Sequence, residues 1–127
     1  MNKKVIFSPS APEPIGPYSQ AVLVNDILFV SGQIAIEQST GKLVTESIEE
    51  ETRQVLNNLS EILKVSGMSF LNVVKCTIFL KDMTNFPRVN EIYGTYFTES
   101  PPARETVEVS RLPKDVNVEI SCIAIRS

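Results

Sequence analysis

The last apolar segment, Val116 to Ile125, constrains the fold more than any other part of the chain. Read as a strand, it puts Val118, Ile120, Cys122 and Ala124 on one face and Asn117, Glu119, Ser121, Ile123 and Ile125 on the other. The first face demands an apolar layer. The second is neither dry core nor ordinary solvent surface. Only two helical patterns precede it, and two helices cannot cover both sides of such a sheet. A half-apolar second face therefore points to association with another copy of the chain, most simply as a closed ring with polar residues lining cavities between subunits.

The remaining elements follow from local signals. Residues 8 to 17 contain four prolines, Pro9, Pro12, Pro14 and Pro17, and form an extended lead-in that cannot enter a central strand. Ala21–Asn25 and Ile27–Ser31 flank Asn25-Asp26 as a short hairpin, and an extended piece, Gln33–Glu37, enters the turn Gln38-Ser39-Thr40-Gly41. Ser47-Ile48-Glu49-Glu50 has the capping-box form, so a helix begins there. Val55, Leu56, Leu59, Ile62 and Leu63 recur on one face, and Ser66-Gly67 ends the run.

Val73–Lys81 alternates as a strand, with Val74, Cys76, Ile78 and Leu80 on one face and Val73, Lys75, Thr77, Phe79 and Lys81 on the other. A second helix is predicted from about Thr84 to Phe97, with Phe86, Val89, Tyr93 and Phe97 as its stripe and Pro87 in its first turn. Strands from about Arg104 to Ser110 and from about Val116 to Ile125 complete an α+β sheet with both helices on one face.

One domain accounts for 127 residues. A net charge of -3 without a Lys/Arg run weighs against a nucleic-acid binder. Cys76 and Cys122 lack CxxC spacing and read as buried thiols. There is neither a signal peptide nor a membrane span, so the expected compartment is the cytoplasm. The chain contains no histidine, which removes Ser/His/Asp and Cys/His nucleophilic systems and His-ligated metals. GxGxxG and GxxxxGK[ST] phosphate cradles are absent too.

A lysine Schiff base on Lys75 or Lys81 is left formally open, though nothing in the sequence depresses either pKa, and the stronger candidates are an arginine and a carboxylate. After Pro101-Pro102, Arg104 opens a strand with a planar fork that suits a carboxylate; the alternative is a surface arginine paired with Glu105 or Glu108. Beyond the turn at Leu112–Asp115, Glu119 stands between Val118 and Ile120 on what reads as the adjacent strand. Desolvated and unpaired it has a raised pKa, and beside a cation a lowered one; otherwise it faces solvent. Tyr18, after Gly16-Pro17, either lids a pocket or caps the core. Ser31-Gly32 either exposes amides to a ligand or forms a bulge. Asn90 is a generic helix residue unless geometry brings it to a cavity.

Together these segments resemble the RidA (YjgF) family of reactive intermediate deaminases along the whole chain. The resemblance is carried by Ile15-Gly16-Pro17-Tyr18-Ser19-Gln20-Ala21, Ser31-Gly32-Gln33-Ile34, Val89-Asn90-Glu91-Ile92-Tyr93, Pro102-Ala103-Arg104, Glu108 to Asp115, and Val118-Glu119-Ile120. It implies a chorismate-mutase-like fold, a homotrimer with pockets between subunits, and no metal or cofactor. It also implies hydrolysis of 2-imino acids and their enamine tautomers, such as 2-iminobutanoate and 2-iminopropanoate, to 2-oxo acids and ammonia. Pyridoxal-phosphate dehydratases release these imines, which damage other such enzymes. By the same resemblance Arg104 holds the substrate carboxylate, Glu119 activates water, and Tyr18, Ser31, Gly32 and Asn90 shape the pocket. Many members carry cysteine two residues after the arginine; here Thr106 stands there among the substrate-binding residues, and it can replace the cysteine where that position acts through its backbone carbonyl but not in a role that needs a thiol. The competing readings are a trimeric 2-oxo-acid-binding regulator of purine or amino-acid metabolism, which needs Arg104 but not Glu119, and a messenger-RNA endoribonuclease.

Overall fold

The computed structural model describes residues 2–127. Ten main elements appear in chain order: β1 (Lys3–Ile6), β2 (Ala21–Val24), β3 (Ile27–Gln33), β4 (Ile36–Glu37), β5 (Lys42–Leu43), α1 (Ile48–Val65), β6 (Val73–Leu80), α2 (Phe86–Tyr96), β7 (Ala103–Glu108) and β8 (Val118–Ile125). The main sheet has the order β1-β2-β3-β8-β6-β7, and only β6 and β7 run parallel. The α+β class with two helices on one face is as expected. Among the described residues no helix is long and apolar enough to cross a membrane.

α1 begins where its cap predicts, with Ser47 Oγ accepting from the Glu50 amide at 3.1 Å. Glu50 pairs with Arg53 rather than reaching back. At the other end Gly67 takes φ +71°, and the Gly67 and Met68 amides donate to the Lys64 and Leu63 carbonyls, closing the last turn. The apolar stripe of α1 (Val55, Leu56, Leu59, Ile62, Leu63) joins Val89, Ile92 and Tyr93 of α2 over Leu28, Val30, Cys76, Ile78, Leu80, Val118, Ile120, Cys122 and Ala124. Burying a Leu or Ile side chain is worth about 1.5–3 kcal/mol, so this layer dominates stability.

Four expectations are corrected. β7 and β8 are not neighbours, because β8 lies between β3 and β6 and β7 pairs with the far side of β6. Polarity explains the order: β7 carries Arg104, Glu105 and Glu108 and suits an edge, whereas β8 alternates apolar residues that need cover. On β6 a register irregularity between Val73 and Lys75 buries Val73 and exposes Val74, the reverse of the predicted faces. The extended piece 33–37 is split, since Gln33 ends β3 while Ile36–Glu37 pairs with Lys42–Leu43 around the expected turn, where Gly41 has φ +72°. Lys3–Ile6, for which no strand was expected, pairs with β2 at the sheet edge.

The proline-rich lead-in is anchored by Gln20, whose buried side chain accepts from the Ser8 amide at 2.6 Å and donates to the Ser8, Ala11 and Pro12 carbonyls at 3.1, 3.3 and 2.9 Å. This anchor fixes the segment that presents Tyr18.

Candidate functional site

The expected site residues fall into two groups on opposite faces of the sheet. Arg104 opposes Cys76 and so faces the helices. Its Nη1 donates to Asn90 Oδ1 at 2.8 Å, and its guanidinium carbon lies 4.8 Å from the Tyr93 ring centroid and 5.5 Å from that of Phe86. Among the described residues no carboxylate forms an ion pair with it. The acids expected as alternatives are engaged elsewhere: Glu105 with Lys75 at 2.9 Å and with the Thr77 hydroxyl at 2.5 Å, Glu108 with the Met83 amide at 2.8 Å. Arg104 is thus steered by π faces and one amide oxygen, none of which neutralises its charge.

Thr106 lies two residues along the same strand face, opposite Ile78. Its Oγ1 is buried without a hydrogen-bond partner. The Tyr93 hydroxyl is likewise buried without a well-formed hydrogen bond, its neighbour being the weakly bonding Cys76 thiol. Burial raises the Cys76 thiol above its usual range, and raises that of Cys122 further. Both remain protonated, inert core groups.

The second group occupies the face away from the helices. Glu119 opposes Phe79 on β6 and sits over Gly32. A methyl group on Gly32 would lie 2.4 Å from Glu119 Oε2, so only glycine leaves room for the carboxylate. Gly32 lies in the register irregularity between Val30 and Gln33, so the bulge alternative holds at the residue that contacts the acid. A cavity of about 60 Å³ adjoins them, lined among others by Tyr18, Ile34, Ile36 and Pro113. Burial pushes the Glu119 carboxyl above the usual carboxylate range, the outcome expected for a desolvated, unpaired acid.

Tyr18 is exposed, and its hydroxyl accepts from the Ile15 amide at 3.3 Å. It separates the small cavity from an open groove on the sheet face that Ser31, Lys75, Thr77 and Ser121 also line. Ser31 donates its hydroxyl to the Ser19 carbonyl at 2.6 Å and its amide to Gln20 at 2.9 Å. Its side chain therefore holds the Tyr18 segment in place. Among the described residues no cluster of three or more acidic or cysteine side chains could hold a metal ion.

One chain thus joins Arg104, Asn90 and Thr106 on one face, and Tyr18, Ser31, Gly32 and Glu119 on the other. Sequence reasoning missed Phe86 and Tyr93 as the platform under Arg104, having assigned them only to the helix stripe. It also missed Glu51 and Gln20, buried polar residues whose roles depend on distant strands.

Residues 8–126 match the family model described as Endoribonuclease L-PSP. A RutC family protein of Pyrococcus horikoshii is 53% identical over 124 residues, covering 98% of each chain. A mouse protein named 2-iminobutanoate/2-iminopropanoate deaminase is 50% identical over 124 residues, covering 98% of this chain and 92% of its own. The solved structure of Escherichia coli TdcF with bound serine superposes with a TM-score of 0.94 at 38% identity, covering 98% and 99% of the two chains. By a match spanning nearly all of its length, the chain belongs to the RidA (YjgF, RutC, L-PSP) family.

Proposed function

We propose that the protein hydrolyses small 2-imino acids, with their enamine tautomers, to 2-oxo acids and ammonia, at sites completed by a second copy of the chain. The observation that carries this reading is an arginine with no ion-pair partner among the described residues on one face of the sheet and, on the other, a half-buried carboxylate beside a small cavity of mixed polar and apolar lining. The relatives' names agree with it: one is a 2-iminobutanoate/2-iminopropanoate deaminase, and another was solved with serine, a small carboxylate-bearing amino acid.

In this reaction Arg104 takes the substrate carboxylate through donors not given to Asn90. The imine reacts in its protonated form: Glu119 accepts a proton from water as the water oxygen bonds to the imine carbon and the C=N pair moves to nitrogen, giving a neutral carbinolamine. Glu119 then returns that proton to nitrogen, the C–N bond breaks and ammonia leaves, while the hydroxyl proton passes to solvent as the C=O bond forms. An imine already hydrolyses in water, so the enzyme has a modest barrier to lower, at about 1.4 kcal/mol per factor of ten. Anchoring and one oriented water suffice. Substrates of this kind are products of pyridoxal-phosphate dehydratases, and their removal protects such enzymes.

Association with another copy is supported by the face away from the helices. Val5, Phe29, Ile27 and Ile125 are exposed there, beside half-buried Val22 and Ile123. A homotrimer is the proposed form. The test couples a threonine dehydratase to the purified protein and follows 2-oxobutanoate, with semicarbazide trapping free imine. Acceleration over the uncatalysed step, lost in Arg104→Ala, is expected. No acceleration, or full activity in Arg104→Ala, would overturn the reading.

A further inference from the structure

Glu51, in the first turns of α1, is 0% exposed and belongs to neither half of the site. Its two oxygens receive three donors from the start of β8. Oε2 accepts from the Asn117 amide at 2.7 Å and the Val118 amide at 3.2 Å, and Oε1 accepts from Asn117 Nδ2 at 2.8 Å. The Asn117 carbonyl in turn accepts from the Lys81 amide at 3.0 Å. A buried carboxylate is costly unless it is hydrogen-bonded, and here both oxygens accept, three donors in all. Its place near the helix N-terminus lowers that cost further.

The residue after this clamp is Glu119. Its carboxylate packs so closely on Gly32 that not even a methyl group fits between them, and a small slide of the strand start would lift it off the glycine. We infer that Glu51 is a positioning residue for Glu119, fixing from α1 the point at which β8 begins and hence where the water-activating carboxylate sits. Glutamine weakens the clamp even where the Asn117 side-chain amide turns over to accept from its nitrogen, because a neutral oxygen replaces the charged acceptor of the Asn117 and Val118 amides. The inference rests on the role given to Glu119 above.

The test follows the Gly32 backbone amide by NMR through a pH titration, in wild type and in Glu51→Gln. Glu13 and Tyr18 are the other titratable groups lining that cavity, and Glu119→Gln identifies the Glu119 contribution by abolishing it. In Glu51→Gln the Gly32 midpoint is expected to move by about half a pH unit or more, a roughly three-fold change in the proton equilibrium. Alongside it, kcat for imine hydrolysis should fall by about ten-fold or more with KM little changed. On the Glu119→Gln background the same substitution should remove almost nothing further. An unmoved Gly32 midpoint in folded Glu51→Gln, or an equal loss of kcat on both backgrounds, would overturn the inference. Should Glu51→Gln not fold, Asn117→Ala, which deletes only the partner of Oε1, must shift the same midpoint in its place. If wild type accelerates no imine hydrolysis, the deaminase reading falls, while the Gly32 midpoint still decides the link from Glu51 to Glu119.

Discussion

Arg104 and Glu119 face opposite sides of one sheet, with β6 between their strands: Arg104 pairs across to Cys76, Glu119 to Phe79. Cys76 and Phe79 are three residues apart, an odd step that reverses the side-chain direction. A single chain therefore cannot bring guanidinium and carboxylate to one substrate without crossing the sheet.

Complementation follows from that separation. Arg104→Ala and Glu119→Gln are each expected to be inactive, yet a mixture unfolded and refolded together should recover activity. In a closed ring assembled at random from equal amounts, about a quarter of interfaces carry both intact residues. The dehydratase-coupled assay should show recovery of about that size. Activity no higher than that of either variant alone would mean that the two residues do not meet across an interface.

The contact between Gly32 and Glu119 gives a second outcome. In Gly32→Ala the new methyl must displace the end of the Glu119 side chain, which bends more readily than backbone does. Stability should barely change, with Tm falling by less than about 5 °C, the shift that about 1 kcal/mol makes in a domain of this size. Placement of the carboxylate should suffer far more, lowering kcat by about 100-fold. Thermal unfolding and steady-state kinetics on the same preparation check this, and unchanged kcat would show that the exact seat of Glu119 is immaterial.

The sequence was most legible where the signal is local. The Ser47 cap, the Gly67 stop and both faces of β8 stand as expected, because each depends on residues within a turn or a two-residue period. The desolvation of Glu119 was not legible: raised, lowered and solvent-facing states were all compatible with the sequence, Val118 and Ile120 point to the opposite face, and the contact with Gly32 on β3 decides between them. What could not be read was register. The side on which Arg104 points, the platform of Phe86 and Tyr93, the insertion of β8 between β3 and β6, and the grip of Glu51 on Asn117 all depend on which strands become neighbours. The reversal of Val73 and Val74 has the same origin, since a bulge in β6 shows only against its partner β8.

The raised carboxyl of Glu119 sets the direction of two pH dependences. Its folded-state value lies above the unfolded one, so the folded chain holds this proton more tightly than the unfolded chain does. The stabilisation is fully present below the ordinary carboxylate range and is lost as pH rises through the raised value. Glu119→Gln should therefore raise Tm at neutral pH and lose that advantage in acid. Activity should show the opposite trend in wild type, rising through the raised value as the base form appears. Tm measured at several pH values, with a pH–kcat/KM profile, checks both; a Glu119→Gln advantage that persists unchanged into acid would contradict the assigned cause.

The platform beneath Arg104 separates the ring of Tyr93 from its hydroxyl. The ring faces the guanidinium at 4.8 Å, whereas the hydroxyl is buried without a well-formed hydrogen bond. A buried hydroxyl with at best the weak Cys76 thiol to bond is a cost, so Tyr93→Phe should keep activity and hold or slightly raise Tm. Tyr93→Leu keeps an apolar core residue but removes the π face. A cation–π contact worth about 0.5–2 kcal/mol then appears as a rise in KM of about 2- to 30-fold, with kcat less affected because the loss falls on carboxylate anchoring. Asn90→Ala should raise KM in the same way, since it frees the other restraint on the guanidinium. A substrate analogue with the carboxylate replaced by a neutral amide makes the comparison specific. Its turnover should be poor in wild type and no poorer in Tyr93→Leu, because the platform serves only to aim a charge that this analogue does not need. An equal proportional loss for acid and amide would assign Tyr93 to general packing of α2 instead.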